Sequence, residues 1–240
     1  MLLISLLSYL HTCFIRSYRF GPPSFIFLAG IVFIYSVVPN PVMESYSFSV
    51  SFLFIISTML SYAIIDNETM NQEAISIMHA GNIRTLYIAK LLYSWLFTVP
   101  FAIFALLYPA LTYKFDRAPS ITELLMSLLY HLSASWLAVA ITCWFCTKFI
   151  RSRLTSFLLL TLVVVVAFSA QSINNLLPSA IQYVTILFPP VNAMMDVLYN
   201  YENHALGMKW MPIGVTMLYS FASSALFLII LNRKKQDSPT

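Results

Sequence analysis

Between Tyr46 and Ile65 the chain carries no charged side chain, and four more apolar runs of comparable length follow it. A bilayer core is crossed by about 20 apolar residues in helical form. Inside lipid every backbone N–H and C=O must be satisfied within the segment or by protein, which restricts such runs to helices. Of the 240 residues, 60% are hydrophobic and 9% charged, against roughly 25% charge in an ordinary soluble domain. The chain is therefore expected to be an all-α polytopic membrane protein, a single transmembrane domain over 1–240. No polar stretch is long enough to bury a core of its own, and no basic face interleaved with aromatics points to nucleic acid.

Six spans are expected. The first, Ser24 to Val38, is short and ends at Pro39-Asn40-Pro41. The second is Tyr46 to Ile65 and the third Leu91 to Tyr113, with Pro100 and Pro109 inside it. The fourth is Leu124 to Phe145, the fifth Leu154 to about Ile173 and the sixth Trp210 to Leu231. Ahead of them, residues 1–20 read as an amphipathic helix in the membrane interface. Ser5, Ser8, Thr12, Arg16 and Arg19 form its polar stripe, and Leu3, Leu6, Leu7, Leu10, Phe14 and Ile15 the apolar face. Arg16 and Arg19 follow the apolar run instead of preceding it, unlike a signal peptide. Gly21-Pro22-Pro23 is expected to break this helix and turn the chain into the bilayer.

The long polar interruption is Asp66 to Lys90. Thr69 with Gln72 three residues on is a capping-box pattern for a helix starting at Met70. Met70, Ala74, Ile77 and Met78 give that helix one apolar stripe. Gly81 suits its end, and Asn82 caps a second helix running through Lys90 into the third span. Between the fifth and sixth spans, Ala180 to Phe188 and Val191 to Tyr199 are apolar pieces too short to cross, divided by Pro189-Pro190. They are expected to form a re-entrant helical hairpin within residues 172–209.

Orientation follows the basic residues. With the N-terminus inside, Arg16, Arg19, Arg84, Lys90, Lys148, Arg151, Arg153, Arg233, Lys234 and Lys235 face the cytoplasm. Lys114, Arg117 and Lys209 remain outside, so ten of the thirteen obey the positive-inside rule. Both termini are then cytoplasmic.

The sequence carries no HExxH, GxSxG or P-loop pattern, so no catalytic residue, metal or cofactor is expected on this chain. His131 is the one ionisable group inside an apolar run by this reading, and Asp196 lies in the second short piece; both are candidates for a substrate path. Cys143 and Cys146 have CxxC spacing; a reactive pair favours a helix N-terminus or a cationic neighbour, whereas this one lies near the C-terminal end of its run and reads as small apolar packing.

Taken together, these features resemble the membrane subunit of bacterial type-2 ATP-binding-cassette (ABC) exporters, and the likeness is architectural over essentially the whole chain. It is carried by the N-terminal helix with Arg16 and Arg19, and by the loop with Asp66, Glu68, Glu73, Arg84 and Lys90. The segment before the last span and the basic end of the fourth span, Lys148 to Arg153, also carry it. Where that family has a proline in the coupling segment, His79-Ala80-Gly81-Asn82 stands here.

The resemblance implies a bacterial plasma-membrane permease working as a dimer with a second copy or a sister subunit, in contact with membrane lipid. A separate cytoplasmic ATPase would hold the ATP and Mg, docking on a coupling helix through Glu68, Met70, Glu73, Ile77, Met78 and His79. The cargo implied is amphipathic, a peptide or antimicrobial peptide exported or expelled in self-protection. An ion-gradient transporter using His131, a thiol oxidoreductase on the cysteine pair, and a non-transporting scaffold or sensor are the alternatives.

Overall fold

The computed structural model describes residues 2–150, 152–178 and 188–236, without the side chains of 234–236. Among these residues are nine α-helices: α1 (Leu2–Arg16), α2 (Gly21–Ile34), α3 (Val42–Ile65), α4 (Met70–Ala80), α5 (Ile83–Leu111), α6 (Ile121–Thr142), α7 (Arg153–Leu176), α8 (Val191–Tyr199) and α9 (Leu206–Gln236). Five of them, α3, α5, α6, α7 and α9, are long and apolar enough to cross a membrane. The bent pair α1–α2, folded by 82° at the break between them, makes up to six.

The spans alternate in direction, so the bundle has two ends. One carries α4, the start of α1 and the end of α9. The other carries α8 and the crossing of the α2–α3 and α5–α6 links, where Asn40 N–H donates to the Lys114 carbonyl and Asp116 N–H to the Asn40 carbonyl, at 3.1 and 2.9 Å. We call them the α4 end and the α8 end.

At the first bend the structure differs from the sequence expectation. Gly21, Pro22 and Pro23 do not break a helix; they form the first turn of α2, with proline at its opening positions. There the missing N–H has no helical partner to lose and the fixed φ is already helical. The turn is made earlier, by Ser17 to Phe20, with Tyr18 in the left-handed region at φ 56°. α2 has 14 residues, a rise of roughly 21 Å, so it is shorter than the bilayer core by itself.

Helix α1 buries Leu6, Leu10 and Phe14, three positions on one face. Phe14 meets Tyr93 and Phe97 of α5 edge-on, at 6.3 and 5.1 Å between ring centres. Part of the apolar face expected to lie on lipid is thus taken by α5, while Ile4 stays exposed.

α3 and α6 are the most enclosed spans and α7 the least, although α7 is also the most hydrophobic. With lipid tails as apolar as leucine, burial in a membrane is driven by close packing and polar contacts instead of hydrophobicity. α6 accordingly buries Ser133, Ala134, Ser135, Ala138 and Ala140 completely. Cross-helix hydrogen bonds supplement the packing: Tyr46 Oη donates to the Leu106 carbonyl (3.0 Å) and Trp95 Nε1 to the Leu132 carbonyl (3.0 Å). α5 runs unbroken through Pro100 and Pro109.

Cys143 opens a short 3₁₀ turn after α6 and Cys146 follows it, and both are buried as free thiols. They pack beside Val139 and Phe227 in the core of the α4 end, in keeping with a packing role.

Candidate functional site

The expected caps of the polar segment are all present. Thr69 accepts from Gln72 N–H, and the Gln72 side chain accepts from the Thr69 N–H. Gly81 takes φ 79°, open to a residue without Cβ, and Asn82 Oδ1 accepts from Thr85 N–H at 2.7 Å. The result is an 11-residue helix held between two caps at the pole of the bundle.

What the helix turns inward is charge. Glu73, Ser76 and Ala80 are its buried residues, and Ile77 packs partly beneath it. Glu73 Oε1 accepts from Tyr87 Oη at 2.8 Å and lies 3.5 Å from Lys90 Nζ, and Glu73 Oε2 lies 2.5 Å from Lys148 Nζ. Lys90, 1% exposed, also pairs with Glu68 Oε2 at 2.9 Å and donates to the Ile65 carbonyl at 3.1 Å. Glu68 Oε1 in turn accepts from Tyr9 Oη of α1 at 3.0 Å and from the Ser76 hydroxyl. Asp66, at the end of α3, accepts from Thr147 N–H and Oγ1, each at 3.0 Å. Through three carboxylates and two lysines, α1, α3, α4, α5 and the α6–α7 link are joined in one network.

Burial pushes the Glu73 carboxyl up, but Lys90, Lys148 and the Tyr87 hydroxyl outweigh it and hold it below the usual range. Asp66 moves the other way: burial raises it, against the Thr147 hydrogen bonds and the more distant Lys90 and Arg153.

The six residues expected to meet a partner therefore divide. Glu68 and Glu73 point into the network and Ile77 into the core, whereas Met70 and Met78 are 85% and 80% exposed and His79 is also exposed. Ile75, which is not part of the expected stripe, joins them on the outside. The α4 side chains available to another molecule are thus Met70, Ile75, Met78 and His79.

Lys90 was legible only as a loop charge, yet it is the hub. Tyr87, Lys90 and Ser94 fall at steps of three and four, one polar stripe entering α5, and that spacing is the signal that marks it.

His131 is fully buried between α3 and α6. Nδ1 lies 2.7 Å from the Ser127 carbonyl, which can only accept, so that nitrogen carries the proton. Nε2 is left to accept from Ser49 Oγ at 2.9 Å. Nδ1 is thus held within α6 and Nε2 by Ser49 of α3, one fastening between the two spans. Ser49 also has the Tyr46 carbonyl at 3.1 Å as a fallback. His131→Phe is thus expected to lower stability by only about 1 kcal/mol, read by thermal unfolding in detergent; a loss above about 3 kcal/mol would mean the histidine does more than join α3 to α6.

Asp196 is exposed on α8, where Asn200 Nδ2 donates to it at 3.0 Å. α8 has the expected bounds, Val191–Tyr199, and buries Val191, Met194 and Leu198. Ser47, in the second turn of α3, donates to the Met195 carbonyl at 3.0 Å. α8 therefore lies alongside the span ends, not above them. The other arm of the expected hairpin, Ala180 to Phe188, lies outside the described residues except for Phe188.

Among the described residues no group of three or more His, Cys, Asp or Glu is arranged to hold a metal ion. No protein-family model, curated protein or solved structure matches this chain.

Proposed function

We propose that the chain is the permease subunit of an ATP-binding-cassette exporter, with α4 as the element on which a separate cytoplasmic ATPase docks. The observation that carries the reading is the two-faced character of α4. Its outer face presents Met70, Ile75 and Met78 to solvent, while its inner face is tied by Glu73 to Lys90 and Lys148. Exposed large apolar residues grouped on one short element mark interaction sites, and methionine adapts its shape to a partner groove. A push on such a helix is passed on, because its inner face is fixed to α5 and the α6–α7 link by buried charge. The basic residues, ten of thirteen by sequence count, favour the α4 end as cytoplasmic. The cargo proposed is an amphipathic peptide, moved by two permease chains as the ATPase pair closes on ATP.

The test is co-purification with an ABC ATPase in native cells, followed by ATP hydrolysis in reconstituted membranes that depends on both chains. Met70→Asp with Met78→Asp is expected to weaken assembly about 30-fold or more, since central apolar anchors dominate interfaces. Membrane insertion and melting should stay near wild type, because both side chains are exposed. Unaltered assembly, or a reporter fused after Lys235 exposed outside the cell, overturns the reading.

A further inference from the structure

Two adjoining cavities of about 280 and 290 Å³ open at the α8 end, and both are lined by Gln171 and Asn192. Gln171 stands on α7, and Asn192 and Asp196 lie four apart on one face of α8. Gln171 is exposed although it stands on a membrane-crossing helix. Asn192 Nδ2 is buried without a hydrogen-bond partner. Apolar walls complete the space, Met195 on one side and Val215 with Pro190 on the other.

We propose that this groove binds an extended, cationic segment of a peptide. Side-chain amides donate and accept at once, which matches the alternating N–H and C=O of a peptide backbone. Buried amide nitrogens are normally paired, so the unpaired Nδ2 of Asn192 marks where an acceptor belongs. Asn200 occupies Asp196 Oδ1, and Asp196 lines the groove together with Tyr199. The field at this end is acidic: Glu44, Asp116, Glu123, Asp196 and Glu202 stand against Lys114, Arg117 and Lys209. A neutral glycan satisfies the amides but leaves that charge unanswered, so a cationic peptide is the better fit. The role of the groove, holding cargo at the face where it leaves, rests on the exporter reading; the binding does not.

The experiment uses the full chain in phosphatidylcholine nanodiscs and a fluorescein-labelled Lys-Leu-Lys-Leu-Lys amide, with empty discs as the blank. Saturable binding is expected, weakened about tenfold or more by Gln171→Leu with Asn192→Leu. Asp196→Asn, on an exposed and isosteric position, is expected to weaken the lysine peptide about fivefold and to leave its lysine-acetylated form unchanged. Equal binding by all variants overturns the proposal, as does saturable binding of fluorescein-labelled maltopentaose without binding of the lysine peptide. ATPase assembly through α4 is measured separately, so loss of groove binding with assembly intact sinks the groove alone. The reverse pattern sinks the exporter alone.

Discussion

Lys90→Met is expected to destabilise the folded bundle by about 3–5 kcal/mol, the cost of removing one partner from a buried ion pair. Lys90 is 1% exposed and faces Glu68 at 2.9 Å and Glu73 at 3.5 Å. Methionine fills the same space but leaves two enclosed carboxylates, of which Glu73 still pairs with Lys148 at 2.5 Å. The Ile65 carbonyl loses its donor as well. Glu68 suffers most, for its other partners, Tyr9 and Ser76, are neutral hydroxyls. Glu68→Gln in the Lys90→Met background is therefore expected to restore part of the loss, because it removes the stranded charge and keeps an acceptor for both hydroxyls. Lys90→Arg should not rescue fully: a planar fork does not fit where a compact ammonium contacts two carboxylates and a carbonyl. Thermal and SDS unfolding of the purified chain measure all three. A Lys90→Met protein within about 1 kcal/mol of wild type would remove the network from any role in holding α4.

The same network shows what sequence reasoning reaches and where it stops. Caps are local, written within four residues, and Thr69, Gln72, Gly81 and Asn82 all take the roles their spacing implies. The bounds of α8 are local too, set by Pro190 before it. Which face of α4 is covered is not local. The stripe of Met70, Ala74, Ile77 and Met78 looks like the buried side by composition, yet of the four only Ile77 is partly covered. Glu73 is buried instead, because Lys90 lies 17 residues on and Lys148 reaches it from a different link. A charge satisfied by partners distant in sequence is indistinguishable, residue by residue, from one bathed in water. Likewise Gly21-Pro22-Pro23 reads as a breaker, but the decision fell to Tyr18, whose left-handed backbone no composition rule marks. His131 was found because it interrupts an apolar run, while its partners Ser49 and Ser127 carried no signal of their own.

Acidification tests the same latch from another direction, and here the sign separates two carboxylates. Glu73 is held below the ordinary carboxyl range, which is near 4.3 for glutamate. Its unfolded form takes a proton first, so its contribution to stability is fully present above that ordinary value and is lost as pH falls through the depressed folded value. Asp66 is raised by burial, so its folded form takes a proton before the unfolded one. Its contribution is present on the acid side of its ordinary value, near 3.9, and is lost as pH rises through the raised folded value. Descending from neutral pH, the bundle first gains from Asp66 and later loses through Glu73. Glu73→Gln is expected to cost about 2 kcal/mol at neutral pH, in line with a hydrogen-bonded charge, and to make the decline at low pH shallower. Asp66→Asn should remove the gain in mildly acid solution and leave that decline in place. Melting temperatures of the three proteins in detergent between pH 7 and about pH 3 provide the measurement. If Glu73→Gln kept the acid decline of the wild type, the proton would be entering elsewhere. The grip of α4 on Lys90 and Lys148 would then not be what the acid breaks.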